Sequence, residues 1–285
     1  MKVFFNGKIV NSNSPIVSAF DRGMTFGDGL YDVVKVINGK FPFIEDHVKR
    51  LERSSKFFKM KSRYSLSEIE SIALELSSVN GVEDGELFLE ITRGTDTIRD
   101  HIFEEEYDPN FLEVVQPLRK IDRNLWETGA KIVTYPDMRH GLCEHKTIDL
   151  LPNVLAKNYA HSKDAYEVLM FRTQNGRKYV TEGGSSSYIF FDGERIVAPK
   201  IDNILPSITR SKVLSIAKSM DLEVIERRVW LDEVRHMKEV MLLSTVSKVM
   251  PVVKIDDMSF LFGEKTRKLA SAFENLILSY RAKIS

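Results

Sequence analysis

The sequence is short of cysteine and has no surplus of charge of either sign. Cys143 is its only thiol. One thiol cannot close an intramolecular disulfide or supply a cysteine-rich zinc site, and such a chain suits a reducing compartment. Forty-one basic residues balance 41 acidic ones, for a formal net charge of zero, whereas a nucleic-acid binder usually carries a basic surplus. No apolar run approaches the roughly 20 residues that span a bilayer. The opening MKVFFNGKIVNSNS turns polar at Asn6-Gly7, too soon for the apolar region of a signal peptide, and it offers no small-residue cleavage site. Low-complexity tracts and a detectable repeat are missing too. The expectation is a cytoplasmic protein without metal, membrane or nucleic-acid partners.

What is present is an ordinary globular composition. The 285 residues are 43% hydrophobic and 29% charged, enough for two modest domains or one large one. Val3 to Val10 reads as a hairpin turned at Asn6-Gly7, and Tyr31 to Phe43 as a second turned at Asn38-Gly39, because Asn-Gly supplies the positive φ angles of a tight turn. Ile44, Val48, Leu51 and Phe58 recur at helical spacing. Ser65-Leu66-Ser67-Glu68 is a capping box opening a helix that ends near Asn80-Gly81. Leu87 to Thr92 and Phe111 to Val115 read as buried strands. A polar connector over 119–124 separates an N-terminal domain, 1–118, from a C-terminal one, 125–285.

In the second half Lys131 to Tyr135 reads as a strand and Asn153 to Ser162 as a helix. Val168 to Phe171 and Tyr188 to Phe191 are apolar strands separated by an Asn175-Gly176 turn, and Asp192-Gly193 makes another hairpin. Thr209 to Met220 and Lys268 to Tyr280 are helices, with Val240 to Leu243 and Val249 to Val253 as strands between them. Strands mixed with helices and joined by several hairpins indicate an α+β fold rather than a doubly wound parallel sheet.

Three features can carry chemistry. Lys146 lies in the loop Cys143-Glu144-His145-Lys146-Thr147 just before a helix; a lone lysine there is ordinarily a solvated surface charge. Thr181-Glu182-Gly183-Gly184-Ser185-Ser186-Ser187 offers small residues whose amides and hydroxyls suit a phosphate or an aromatic heterocycle. The same run alone also reads as a flexible turn. Leu205-Pro206-Ser207-Ile208-Thr209-Arg210 opens directly into a helix, where free amides form an anion site, although a plain N-cap is commoner.

The segment Asp21-Arg22-Gly23-Met24-Thr25-Phe26-Gly27-Asp28-Gly29-Leu30-Tyr31-Asp32-Val33-Val34 resembles the N-terminal signature of fold-type IV pyridoxal-phosphate enzymes, the D-alanine/branched-chain aminotransferase family. His47-Val48-Lys49-Arg50-Leu51 resembles the family's phosphate-arginine helix. The Lys146 loop with Leu150-Leu151-Pro152-Asn153-Val154-Leu155-Ala156-Lys157 resembles its Schiff-base region. Thr181-Glu182-Gly183, Ile208-Thr209-Arg210 and Ser244-Thr245 with Pro251 follow in the family's order, so the resemblance runs from about Phe4 to Val253.

The resemblance implies a two-domain α+β architecture, with a small N-terminal α/β domain and a larger C-terminal pseudo-barrel domain. It implies pyridoxal 5′-phosphate as cofactor. Lys146 would be the Schiff-base lysine and the group that moves the substrate proton. Glu182 would sit against the pyridine nitrogen. Arg50, the Ile208 and Thr209 amides and the hydroxyls of Thr209 and Thr245 would hold the phosphate, and Ser185 and Ser186 would also bind the cofactor. Tyr31 would line the substrate side, and His47 would be structural rather than catalytic.

Thr92-Arg93-Gly94-Thr95-Asp96-Thr97-Ile98-Arg99-Asp100-His101-Ile102-Phe103 resembles the D-amino-acid form of the family. There an Arg-x-His pair, here Arg99 and His101, binds the substrate carboxylate and reaches the partner subunit's active site in a homodimer. The implied activity moves an amino group between an amino acid, D-alanine or D-glutamate favoured, and a 2-oxo acid. A branched-chain L-amino acid aminotransferase is the alternative within transferases, and aminodeoxychorismate lyase the alternative outside them. A non-enzymatic cofactor carrier is a remote further option.

The chain departs from the D-specific pattern at several positions. One extra residue precedes Arg99, and Glu104 follows Phe103 where proline is usual. Asp32 replaces a glutamate expected near the substrate entrance. Gly184, Ser187, Ser207, Val246 and Lys248 are further differences.

Overall fold

The structure, a computed structural model, describes residues 1–14, 16–103 and 107–280; Glu104 lies outside them. Contacts divide the chain into two compact units. One comprises Met1–Arg119 with His145–Asp149 and Tyr280, the other Lys120–Glu144 with Leu150–Ser279.

The first unit contains β1 (Lys2–Phe5), β2 (Lys8–Asn11), α1 (Arg22–Phe26), β3 (Gly29–Val36), α2 (Ile44–Phe57), α3 (Leu66–Asn80), β4 (Gly85–Thr92) and β5 (Asn110–Gln116). Its five strands form an antiparallel sheet in the order β2-β1-β5-β4-β3. The β1–β2 turn is made by Asn6 and Gly7, both with positive φ, as their side chains allow. Ile44, Val48 and Leu51 of α2 and Ile69, Ala73 and Leu76 of α3 share one core with Val34, Leu87 and Leu89 of the sheet. Helix α3 starts with the expected box: the Glu68 amide donates to Ser65 Oγ, and the Ser65 amide donates to Glu68 Oε2 at 2.8 Å.

The expected second hairpin forms only in part. Asn38 and Gly39 turn the chain, but the return arm is a single bridge between Ile37 and Lys40. Phe43 then takes φ 63° and leads directly into α2. Ile44, Val48 and Leu51 bury themselves as one helix face, which leaves too few residues for a returning strand.

The second unit contains α4 (Leu125–Thr128), β6 (Ala130–Pro136), α5 (Leu151–Ser162), β7 (Glu167–Gln174), β8 (Arg177–Val180), β9 (Ser187–Phe191), β10 (Ile196–Pro199), α6 (Ile208–Ser219), β11 (Val224–Arg227), β12 (Glu239–Ser244), β13 (Lys248–Ile255), β14 (Met258–Ser259) and α7 (Glu264–Leu278). Its nine-stranded sheet runs β11-β10-β9-β12-β13-β6-β7-β8, with β14 on β13. The β10–β11, β13–β6 and β6–β7 pairs are parallel and the rest antiparallel. Strands β9 and β10 are buried along their whole length, the pattern of strands covered on both faces. Asn175-Gly176 turns β7 into β8, a strand the polar Arg177-Lys178 start concealed.

Register places three loops at one end of this sheet. Ser187 at the start of β9 pairs with Leu243 near the end of β12. Strand β10 runs back along β9 with Ile196 opposite Phe191, so its Pro199 end lies toward Ser187. The 181–186 loop, the 200–207 loop into α6 and the Thr245 turn therefore share one edge. Among the described residues no helix is long and apolar enough to cross a membrane, and no group of three or more His, Cys, Asp or Glu could hold a metal.

Candidate active site

Lys146 belongs with the first unit, where it lies along β3. The Tyr31 amide donates to the Lys146 carbonyl at 2.9 Å, the Ile148 amide to the Gly29 carbonyl at 3.1 Å, and Leu30 bridges Thr147. Glycine at 29 permits this approach, since a Cβ there would stand 2.7 Å from Ile148 Cδ1 and 2.8 Å from the Ile91 carbonyl oxygen. The Lys146 side chain is half-buried. Its Nζ donates to the Tyr31 hydroxyl at 3.0 Å and lies 4.1 Å from that ring's centre. The amine is thus fixed against a phenol rather than waving in solvent. The preceding His145 is fixed as well, stacked on Phe57 at 4.2 Å with Nδ1 3.1 Å from Ser54 Oγ.

Asp32, next along β3, is fully buried. Its carboxylate accepts from Arg50 Nε at 2.9 Å and Arg50 Nη2 at 2.7 Å, and stands 2.8 Å from His47 Nδ1. Burial alone would raise the Asp32 pKa, but Arg50 and His47 more than offset it and hold the group far below the usual carboxylate range. Burial pushes His47 down, against the pull of Asp32. A two-point carboxylate fixes the plane of a guanidinium, so Asp32 sets how Arg50 is presented from α2.

Arg99 and His101 come together. The Arg99 guanidinium lies 4.6 Å from the Phe26 ring centre and the His101 ring 4.9 Å from the same ring. Both residues are exposed, and among the described residues no hydrogen bond engages either side chain's nitrogens.

In the second unit Glu182 is buried. Its Oε1 accepts from Arg139 Nη1 at 2.5 Å and from the Leu205 amide at 3.1 Å, while among the described residues Oε2 has no partner. Burial raises its pKa, and Arg139 opposes this only in part. Arg139 is itself gripped by Asp137, Nε to Oδ1 at 2.9 Å and Nη2 to Oδ2 at 2.8 Å. An acid held by one oxygen and open at the other is ready to accept from a ligand's N–H.

The glycine–serine run is not a flexible turn. Thr181 through Gly184 are buried, and Glu167 accepts from the amides of Gly184 and Ser185 and from both the Ser185 and Ser186 hydroxyls. Ser185 and Ser186 thus shape the loop through Glu167. At α6, Ser207 caps by accepting from the Arg210 amide at 3.2 Å. Among the described residues no partner meets the amides of Ile208 and Thr209, and Thr209 is buried. Two open amides at a helix start favour an anion. Thr245 sits half-buried in the β12–β13 turn.

Sequence reasoning passed over Arg139, Asp137 and Glu167. A Tyr-Pro-Asp-Met-Arg stretch leaving a strand was the available signal for the first two. Glu167, buried at the start of an apolar strand, signalled a carboxylate needing partners.

The chain is similar along its length to known enzymes. Residues 29–255 match the model of the family described as amino-transferase class IV. A D-alanine aminotransferase of Bacillus licheniformis is 33% identical over 287 residues, covering 99% of each chain. One of Staphylococcus aureus (strain MW2) is 34% identical over 286 residues, 98% of this chain and 99% of the relative. Among solved structures, the branched-chain amino acid aminotransferase of Escherichia coli superposes with a TM-score of 0.89 at 18% identity, covering 100% of this chain and 97% of the other. A 4-amino-4-deoxychorismate lyase from Pseudomonas aeruginosa superposes with a TM-score of 0.83 at 23% identity, covering 96% and 98%. At those identities the superpositions speak for the α+β fold alone, but the family match spans most of the chain. This protein belongs to the amino-transferase class IV family.

Proposed function

We propose that the protein is a D-amino-acid aminotransferase that moves an amino group from a D-amino acid such as D-alanine or D-glutamate to a 2-oxo acid, with pyridoxal 5′-phosphate as cofactor. The observation that carries the D-specific part is the Arg99–His101 pair, two cationic or hydrogen-bonding groups on one aromatic ring with their donors unengaged among the described residues, as a substrate carboxylate requires. The full-length similarity to two D-alanine aminotransferases supports the same reading.

The residues fit the cofactor. Lys146 offers an amine oriented by a phenol, and Glu182 an open oxygen for a ring N–H. In the second unit the Ile208 and Thr209 amides and the hydroxyls of Thr209 and Thr245 offer an anion site, and in the first Arg50 offers a guanidinium. When bound, pyridoxal phosphate supplies an electron-withdrawing ring that stabilises negative charge at the substrate's Cα. Lys146 would be the base that takes the proton from that Cα and the acid that gives it back, with the Tyr31 hydroxyl holding Nζ. Glu182 would hold the proton on the ring nitrogen, and Arg139 holds Oε1 of Glu182 in place. Arg99 and His101 hold the substrate carboxylate and thereby choose which hydrogen on Cα faces the lysine. The reading includes a homodimer in which this pair serves the partner subunit's site, in a reducing cytoplasm that suits the single thiol.

The test is a set of half-reactions with D-alanine, D-glutamate, L-leucine and L-glutamate, followed by the change in cofactor absorbance. Conversion by the D-amino acids is expected. Conversion by L-leucine and L-glutamate alone would refute D-specificity, and pyruvate release from aminodeoxychorismate without an amino acceptor would replace the transferase reading by a lyase.

A further inference from the structure

Helix α1 and the residue after β4 are built around the loop that carries Arg99 and His101. Arg22, the first residue of α1, is buried although charged. It spends its guanidinium largely on loop backbone: Nη1 donates to the Asp100 carbonyl at 2.7 Å and the Ile102 carbonyl at 3.3 Å, and Nη2 to the His101 carbonyl at 3.2 Å. Nε is held by Asp28 at 3.0 Å. Arg93 shares the same Asp28 oxygen at 2.7 Å and lies 3.7 Å from the Phe103 ring centre. Phe26, one turn along α1 from Arg22, carries Arg99 and His101 on its ring, and Arg22 itself stands 4.9 Å from that ring.

A buried guanidinium is costly unless its donors are met. Three consecutive loop carbonyls meet most of Arg22's, so the loop backbone and the arginine fix each other. Carbonyl anchors at 100, 101 and 102 determine where the side chains of 99 and 101 leave the backbone. The Phe26 ring then supplies the surface on which they settle, through cation–π attraction for Arg99 and ring contact for His101. Neither interaction consumes the N–H groups that would face a carboxylate.

We propose that Arg22 and Phe26 are positioning residues for substrate specificity: Arg22 clamps the 100–102 backbone and Phe26 is the platform that presets Arg99 and His101 as a carboxylate receptor. This rests on the reading that Arg99 and His101 bind the substrate carboxylate. An exposed loop without the clamp would sample many arrangements, and the substrate would have to select the competent one, weakening binding in proportion to its population.

The test compares Arg22→Gln, Phe26→Leu, Arg99→Ala and the double variants Arg22→Gln/Arg99→Ala and Phe26→Leu/Arg99→Ala in the cofactor-loaded enzyme. Two readouts are used: KM and kcat for D-alanine, and the calorimetric dissociation constant of propionate, which has the carboxylate but no amine. Arg22→Gln is expected to raise both KM and the propionate constant roughly tenfold, and Phe26→Leu roughly threefold, the scale of an exposed cation–π contact, with kcat changing far less. On the Arg99→Ala background each should cost less than in the wild type, because one of the two groups being positioned is gone. If Arg99→Ala weakens propionate but Arg22→Gln and Phe26→Leu do not, or if their effects multiply with that of Arg99→Ala, the positioning role is wrong and the carboxylate reading stands. If Arg99→Ala leaves propionate binding unchanged, both fall. Should Arg22→Gln fail to fold, Phe26→Leu decides alone.

Discussion

Glu113 offers a measurement that depends on burial alone. It sits on β5 opposite Leu89 of β4 and Phe4 of β1, two residues from both Phe111 and Val115 of the core. Among the described residues neither buried carboxyl oxygen has a hydrogen-bond partner, and burial pushes its pKa up to about 9 from 4.5. In the folded chain Glu113 keeps its proton up to that pH, whereas the unfolded chain releases it near 4.5. Between the two values the folded state binds one proton more, so stability is greatest below the lower value and falls as pH rises, by about 1.4 kcal/mol per pH unit. From pH 5 to pH 8 that is about 4 kcal/mol, worth roughly 10 °C or more in the melting point of a unit of this size. Glu113→Gln keeps the shape and removes the titration. Melting both chains by calorimetry across this range cancels every other titrating group, so the Glu113→Gln chain should gain on the wild type steadily as pH rises. Curves that run parallel within about 0.5 kcal/mol, where surface-like substitutions fall, would refute the reasoning and mean that the carboxyl is ionised in the fold.

Lys146→Ala should abolish covalent cofactor attachment, read as loss of the yellow absorbance after dialysis; a chain that stays yellow contradicts the assignment. Glu182→Gln should lower kcat by about a hundredfold or more, the loss typical of removing one group that stabilises developing charge, while stopped-flow substrate binding changes little. Gly29→Ala should cost about 1–3 kcal/mol in thermal stability and lower kcat, because the Ile91 carbonyl 2.8 Å from the new Cβ cannot yield without moving β4 or the Lys146 segment. Asp32→Asn should destabilise by about 3–5 kcal/mol, the cost of removing one partner from a buried ion pair; a melting point within 1 °C of wild type, well inside the shift those energies imply, would count against Asp32 as the Arg50 anchor.

Local signals were legible and distant ones were not. The Ser65 box, the Asn-Gly turns and the α2 periodicity are written within a few residues, and each appears in the structure. The Tyr31–Lys146 contact joins residues 115 apart, and no periodicity can report it. Resemblance named the two residues separately, as Schiff-base lysine and substrate-side tyrosine, by matching an ordered series of motifs, and not the contact between them. That series names the parts without their environment, so the pairing of Asp32 with Arg50 and His47 is not written in it. The β8 strand escaped because Arg177-Lys178-Tyr179-Val180 buries only its last residue fully, leaving no alternation to read. Arg139 escaped because its role depends on Asp137 two positions earlier and Glu182 43 positions later.

Three buried acids show how partner number, rather than burial, assigns the role. Asp32 has both oxygens engaged and is held ionised, so it anchors Arg50 and has nothing left for a ligand. Glu113 has neither oxygen engaged among the described residues and holds a proton, so it titrates but does not bind. Glu182 is intermediate: Arg139 and the Leu205 amide engage Oε1, Oε2 stands open, and burial still raises its pKa. A donor reaching Oε2 would lower that pKa, because hydrogen bonding to the charged form favours it. Ligand binding and ionisation of Glu182 must therefore strengthen each other, and any ring N–H that arrives there meets an acid whose charge grows as the bond forms. Arg139→Met, by removing the one cation at Oε1, should shift that balance toward the protonated acid and make ligand affinity fall more steeply as pH is lowered. An affinity that follows the wild-type pH profile would show that Arg139 only packs against the loop.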